Sequence, residues 1–425
     1  MTARDRLLPT GPIDASERIV LLDGVRGFAL LGILIANMLT FSGYMFMDEG
    51  QRAALSIGPI DTAVDFAIET FVHGKFYALF SLLFGIGFAM QLGRIEQRGE
   101  TVGRYARRLS VLALFGLAHL LLVWIGDILL LYALMGFVLL AFRNLSNRAL
   151  LWGAALLWAV PVAWAAYKFL AGFNPFATFM PRLAPMAGML GVPFGPGTQA
   201  EVYGSPDLML HLKAHPIEFV LRFIIYLDEM RFTKVLAMFF IGLWIGRHAI
   251  PANLARFEPL MRKMAIVGVA AGLPMALLHS SIVMGWIGDP QTLGTVLAAE
   301  TSYCLAVPLM GMGYASLFGL AWLHGRRTLI ETFAPAGRMA LTNYLMQSIV
   351  QSVIFYGWGL GLFGEIPISL MLILSLAIFA AQILLSRWWL ATHRFGPMEW
   401  LWRTLTWGQS QPMRLESHAR AVSAS

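Results

Sequence analysis

The chain is dominated by apolar runs about 20 residues long, the length a helix needs to cross the hydrocarbon core at about 1.5 Å per residue. They fall at 19–43, 74–93, 107–125, 127–143, 149–170, 232–249, 263–285, 294–323, 337–361 and 367–390. The expected fold is an all-α polytopic transmembrane bundle of about ten spans. The short alternating segments of a membrane β-barrel are absent. Composition agrees, with 58% hydrophobic and 13% charged residues; soluble chains carry about 25% charged.

Charge orients the bundle. The stretch 94–108 holds Arg94, Arg98, Arg104, Arg107 and Arg108, whereas the next turn, at Gly126-Asp127, has no Lys or Arg. The alternation continues: Arg143 and Arg148, then Arg247, Arg256, Arg262 and Lys263, then Arg326, Arg327 and Arg338 mark every second loop, and 286–293 and 362–366 are bare. Arg4, Arg6 and Arg18 at one end and Arg394, Arg403, Arg414 and Arg420 at the other place both termini in the cytoplasm. The first segment is too long for a signal peptide and lacks a small-residue cleavage site.

Two stretches are expected outside, at the membrane surface. Residues 45–73 end in "IDTAVDFAIETFVHGK", with apolar residues at helical spacing. The Pro- and Gly-rich stretch 171–231 ends in "IEFVLRFIIYLDEMRF" and is expected to fold as a cap. The organisation read from this is an N-terminal membrane half (1–170), an external loop (171–231), a C-terminal membrane half (232–393) and a cytoplasmic amphipathic tail (394–425), whose tryptophans fit an interfacial belt.

Several function classes drop out. Cys304 is the single cysteine, so no intramolecular disulfide or Cys-rich metal site forms. The net charge of +7 belongs to cytoplasmic loops rather than to nucleic-acid binding. No phosphate-binding Gly-Lys-Ser/Thr loop, Gly-x-Ser-x-Gly elbow or His-Glu-x-x-His helix occurs, and the histidines lack metal-ligand spacing. The partner that composition requires is the lipid bilayer.

Ionisable and amide groups inside spans normally face a cavity or a partner. In "LLDGVRGFALLGILIANMLTF", Asp23 and Arg26 are three apart near the cytoplasmic end, and Asn37 shares their stripe about 16 Å higher. Gly27 and Gly32 admit a neighbouring helix. His119 lies past the middle of its span and Asp127 follows at the outer end; the two either lock adjacent spans together or transfer a proton. His73, Lys75, His279 and Glu300 fall at similar outer depth, with His279 and Glu300 read as structural and Lys75 as snorkelling to the interface. Asn343, Gln347 and Gln351 form a stripe at spacing four. The candidate catalytic residues are His119, Asp127, Asn37 and His73; the candidate substrate-binding residues are Asp23, Arg26, Asn343 and Gln347.

"LLDGVRGFALLGILIANM", "HGKFYALFSLLFGIGFAMQL", "HLLLVWIGDILLLYALMG", "GRMALTNYLMQSIVQSVIFYGWGLGLF" and "RFGPMEWLWRTLTWG" occur in order. In these blocks the chain resembles the YeiB family of bacterial inner-membrane proteins, which implies a multi-pass protein of that membrane. The family is distantly similar to transmembrane acyltransferases such as heparan-glucosaminide acetyltransferase, through the Asp, Arg-Gly and later Asn of the first span. In that enzyme an essential histidine follows the Asn, but here "MLTFSGYMFMDEG" has none, so the base the resemblance implies does not carry over directly, and His73 or His119 is the candidate to fill that role from another element. The resemblance implies acyl-CoA as a co-substrate rather than a bound cofactor, with its phosphates among Arg104, Arg107 and Arg108. It also implies a small-molecule or glycan acceptor outside the cytoplasm, and Asn37 as hydrogen-bond donor to the oxyanion. The alternative is a permease for a small organic or lipidic molecule.

Overall fold

The computed structural model describes residues 15–97, 101–195 and 197–415. Arg4, Arg6, Arg98 and Arg420, which contribute to the charge pattern, lie outside them, as does the side chain of Arg18. Among the described residues the secondary structure is helical, and the one strand-like pairing is an isolated bridge between His393 and Arg414.

The first half comprises α1 (Ala15–Phe41), two short outer helices α2 (Glu49–Leu55) and α3 (Pro59–Phe71), then α4 (Lys75–Gln97), α5 (Gly103–Leu122), α6 (Leu129–Ala141) and α7 (Asn147–Ala171). The cap follows as α8 (Pro175–Phe179), α9 (Ala184–Leu190), α10 (Gln199–Tyr203) and α11 (Leu208–Asp228). The second half comprises α12 (Arg231–Arg247), α13 (Glu258–Val267) running through a π turn at Gly268–Gly272 into α14 (Leu273–Val283), and α15 (Leu293–Leu323). It ends with α16 (Arg327–Arg338), α17 (Ala340–Phe355), α18 (Ile368–Leu390) and α19 (Pro397–Trp407).

Among the described residues, seven helical stretches are long and apolar enough to cross a membrane. The spans expected at 127–143, 232–249 and 337–361 form shorter helices of 13, 17 and 16 residues. Their surroundings explain this. Val235, Ala237, Met238, Phe239 and Leu243 of α12 are buried, so that helix is solvated by protein and need not match the thickness of lipid. α7 and α18, by contrast, turn Trp152, Leu156, Leu170, Ile373, Leu384 and Leu385 outward, an apolar belt suited to acyl chains. The chain is a polytopic helical membrane protein.

Glycines set the closest helix pairs. A Cβ on Gly85 or Gly242 would strike the backbone of the facing helix, so α4 and α12 meet backbone to backbone. α1 and α16 meet the same way: a Cβ on Gly27 would clash with the carbonyl of Phe333, and one on Gly337 with the carbonyl of Asp23. The stretch 324–338, read as a loop, is this α16, an amphipathic helix lying against α1 on the arginine-rich side. The cap holds a small core of its own around Leu183, Ala187, Val202 and Ile217, apart from the bundle core.

Gly337→Ala should lower stability by about 1–3 kcal/mol, because backbone cannot yield as a side chain can. Gly93→Ala, which meets open space on α4, should be neutral or stabilising. Thermal unfolding of both variants in detergent reads the difference, and equal melting temperatures would refute the close packing of α1 on α16.

Candidate active site

A cavity of about 420 Å³ opens on the arginine-rich face. Its lining on α4 runs from Phe80 to Arg94, a rise of about 21 Å and so roughly two-thirds of the hydrocarbon core. Arg26, Arg94, Arg108, Arg338, Arg394 and Arg403 stand in its wall, together with Asp23 and Glu399. Each reaches the mouth by a local device. Arg26 is paired with Asp23 one turn earlier, as the spacing predicts, and also reaches the carbonyl of Gly337 at 3.5 Å. Arg108 lies over the Trp402 ring at 3.6 Å, and the Trp402 indole donates to the Arg108 carbonyl at 3.0 Å, which pins α19 to α5. Glu399 accepts from the amides of Leu341 and Thr342 at 2.6 and 3.1 Å and from the Thr342 hydroxyl at 2.6 Å, capping α17 from outside. Burial pushes the Glu399 carboxyl above its ordinary range and the Arg403 guanidinium below its own.

Of the arginines named from sequence as phosphate ligands, only Arg108 lines the cavity. Arg104 lies over the Trp407 ring at 4.3 Å, and Arg107 is exposed beside Gly408. The three stand at i, i+3 and i+4 on one side of α5, and the packing of α19 sorts them: its end, at Trp407 and Gly408, meets Arg104 and Arg107, whereas Arg108 meets Trp402 and the cavity.

The inner end of the cavity is walled by Ile128, Leu129, Tyr132 and Tyr344. Directly behind it lie His119 and Asp127, 3% and 1% exposed. Gly116 lets the first turn of α6 approach α5, since a Cβ there would strike Leu130. His119 Nδ1 then lies 2.9 Å from Asp127 Oδ2, while Asp127 Oδ1 accepts from the Leu130 amide at 2.8 Å. A carboxylate only accepts, so Nδ1 carries the hydrogen of the neutral ring and Nε2 keeps its lone pair. That Nε2 is buried without a partner. The Tyr344 ring is 5.3 Å from the imidazole, and its hydroxyl accepts from the Ile128 amide at 3.3 Å, linking dyad and cavity wall. From above, α11 closes the site. Tyr226 and Arg222 donate to the Asp127 carbonyl at 2.6 and 3.2 Å, and His215 Nδ1 donates to the Leu121 carbonyl at 2.9 Å.

The other candidates fall elsewhere. His73 lines a second cavity of about 680 Å³ on the opposite face, with Tyr44, Arg52, Asp61, Asp65 and Glu69. Its Nδ1 lies 2.7 Å from Glu69 Oε1, and the same oxygen is 3.3 Å from His279 Nε2. Lys75 is fully buried and donates to the Glu69 carbonyl at 2.7 Å rather than snorkelling to the interface. Glu300 pairs with Lys234 at 2.8 Å. Asn37 is half-buried and lines neither of these cavities. Asn343 and Gln347 also line neither. The Asn343 amide donates to Ser386 at 3.0 Å and the Gln347 amide to Gln382 at 2.8 Å, so their stripe joins α17 to α18.

Sequence reasoning passed over Glu69, Tyr344, Arg222 and Tyr226, and read Arg94, Arg338, Arg394 and Arg403 only as topology. A signal existed for some of these. Asp61, Asp65, Glu69 and His73 stand at spacing four, and His211, His215, Glu218, Arg222 and Tyr226 form a second stripe.

Burial pushes the Glu218 carboxyl of α11 up to about 7 and His215 down to about 4. The contribution of Glu218 is complete below its unfolded value near 4.5 and is lost as pH rises toward 7. That of His215 is complete above its unfolded value near 6.5 and is lost as pH falls toward 4. Glu218→Gln cannot ionise, so its stability relative to wild type should rise between pH 5 and pH 8. Melting temperatures across that range test this, and a constant difference would refute it. Asp127→Ala removes a buried hydrogen-bonded carboxylate from His119 and should cost about 2–3 kcal/mol in the same assay.

Comparison with known proteins places the chain. A family described as "Protein of unknown function (DUF418)" matches residues 245–409. The "Uncharacterized protein YxaH" of Bacillus subtilis is 30% identical over 95% of this chain and 97% of its own length. The "Uncharacterized protein YeiB" of Escherichia coli is 28% identical over 92% of this chain and 96% of its own. No solved structure matches. The chain, alike from end to end to YxaH and carrying the DUF418 match in its second half, belongs to the YeiB family of membrane proteins.

Proposed function

We propose that this protein is an inner-membrane acyltransferase that moves an acyl group from a cytoplasmic thioester to an acceptor on the far side. One observation carries the reading: an arginine-lined cavity from the cytoplasmic face ends beside a buried His–Asp pair whose outward nitrogen has no partner. A volume of about 420 Å³ is within the range of ligand pockets. The phosphates of acyl-CoA pair with the arginines at the mouth, and the thioester arm extends along the apolar wall toward Tyr344. His119 Nε2 takes the proton of the acceptor hydroxyl or amine as that group attacks the thioester carbonyl. The carbon–sulfur bond breaks, the acyl group stays on the acceptor, and the proton passes from His119 to the leaving thiolate. Asp127 holds the ring in the required tautomer and steadies the imidazolium. Asn37, which lines neither cavity, has no assigned step.

A second reading, a permease, draws on a different observation. On α1 the inner cavity ends at Ile33 and the outer one begins at Ala36, so cavities on opposite faces approach within one helical turn.

CoA binding to the purified protein, followed by calorimetry, tests the first reading. Arg108→Ala and Arg403→Ala should each weaken binding about tenfold, the loss of one charge-assisted contact. His119→Ala should leave binding intact and abolish acyl transfer. Absence of CoA binding in wild type would sink the acyltransferase, and accumulation of unmodified solute in sealed vesicles would establish the permease.

A further inference from the structure

The arginine-lined cavity changes character at a similar depth on three helices. Toward the mouth its wall carries Asp23 and Arg26 on α1, Gln91 and Arg94 on α4, and Arg108 on α5. Further in, the same helices present Leu30 and Ile33, then Phe84 and Phe80, then Leu109 and Leu112. A volume of about 420 Å³ spread along about 21 Å of helix makes a narrow bore rather than a round chamber. Gly87 stands where charged wall gives way to apolar wall. Arg94 at the mouth and Phe80 at the inner end are each seven residues from it, about 10 Å along α4.

Glycine is a poor residue for the middle of a helix, because it frees the unfolded chain and brings no side chain to pack. On α4 the nearby Gly85 has a packing reason, since a Cβ there would strike the backbone of α12. Gly87 has none: a Cβ at this position would meet nothing within 4 Å. Phe84 and Gln91 lie one turn away on either side, Phe80 and Arg94 two turns away, and all four line the cavity, so a side chain at 87 would point into the bore. The walls beside it are fixed. Phe84 stacks on Phe239 at 4.5 Å and meets Tyr132 edge-on at 5.6 Å. Phe88 meets Tyr105 edge-on at 4.9 Å, and the Tyr132 hydroxyl donates to the Tyr77 carbonyl at 2.9 Å. Leu109 is seated against Gly136, where a Cβ would strike it. Groups packed in this way do not swing aside, so the bore at this depth is as wide as the absent side chain leaves it.

We propose that Gly87 is a specificity-determining residue, which keeps the middle of the cavity open to an unbranched chain attached to an anionic head held by the arginines. That the chain is the arm of an acyl thioester rests on the acyl-transfer reading; the bore at Gly87 does not. The test is calorimetry on the full-length protein in detergent, with inorganic phosphate, octyl phosphate, its branched isomer 2-ethylhexyl phosphate, and CoA as separate probes. Octyl phosphate should bind wild type at least about tenfold tighter than inorganic phosphate, through burial of its methylenes, and about fivefold tighter than the branched isomer. Gly87→Leu fills the bore and should bring octyl phosphate down to the affinity of inorganic phosphate, which itself should be unchanged. Gly93→Leu, equally open but outside this cavity, should bind every probe like wild type. An octyl chain that adds nothing in wild type, isomers that bind alike, or a Gly87→Leu variant that keeps the advantage of the chain would overturn this inference. CoA binding to wild type would then still leave the acyl-transfer reading standing. Loss of phosphate binding in Gly87→Leu would overturn the inference too, because the residue would then act on the head. The expected pattern with octyl phosphate, but without CoA binding, would support the bore and overturn the acyl-transfer reading instead.

Discussion

Backbone contact between α1 and α16 fixes the geometry of the arginine-rich mouth. Gly24, Gly27 and Gly337 have no side chain at the crossing, so the two helices approach until carbonyl oxygens nearly touch the facing Cα atoms. The approach brings the Gly337 carbonyl to Arg26 and Arg338 to the cavity wall. α19 is then locked against α5 by Trp402 and Arg108 and against the start of α17 by Glu399. Arginines from α1, α4, α5, α16 and α19 converge because these backbones are held, not because the arginines attract one another.

Inside the bundle, water cannot compensate a lost hydrogen bond, so the pairing of polar side chains separates structural groups from functional ones. Gln347 and Asn343 are joined to α18, and Lys234 is joined to Glu300. Glu69 is shared by His73 and His279. These contacts bind helix to helix. His119 is held by Asp127 through one nitrogen, and its other nitrogen is buried without a partner, as is Gln347 Oε1; His119 differs in lying behind the end of the arginine-lined cavity.

The helical class and the positions of the long apolar helices were legible because they depend on local length and hydropathy. So were the Asp23–Arg26 pair, three residues apart on one helix, and the His119–Asp127 pair, eight residues apart across a tight turn. Lys75 was misjudged because its burial depends on α15 packing against the start of α4, where Tyr303 and Val307 meet Gly74, while the turn at Gly74 brings the Glu69 carbonyl within its reach. The three short helices were overestimated in length because hydropathy does not distinguish a neighbour made of lipid from one made of protein.

The sequence by itself therefore determined that this chain is a helical membrane protein and which helices carry its polar residues. Periodicity within a helix assigns each residue to a face. Only the tertiary structure decided which face meets which partner: that Arg108 but not Arg104 or Arg107 lines the cavity, that α16 lies on α1, and that α11 covers the dyad with its polar stripe. Those outcomes depend on the rotation and crossing of packed helices, which glycine contacts far apart in the chain set together and no single segment encodes.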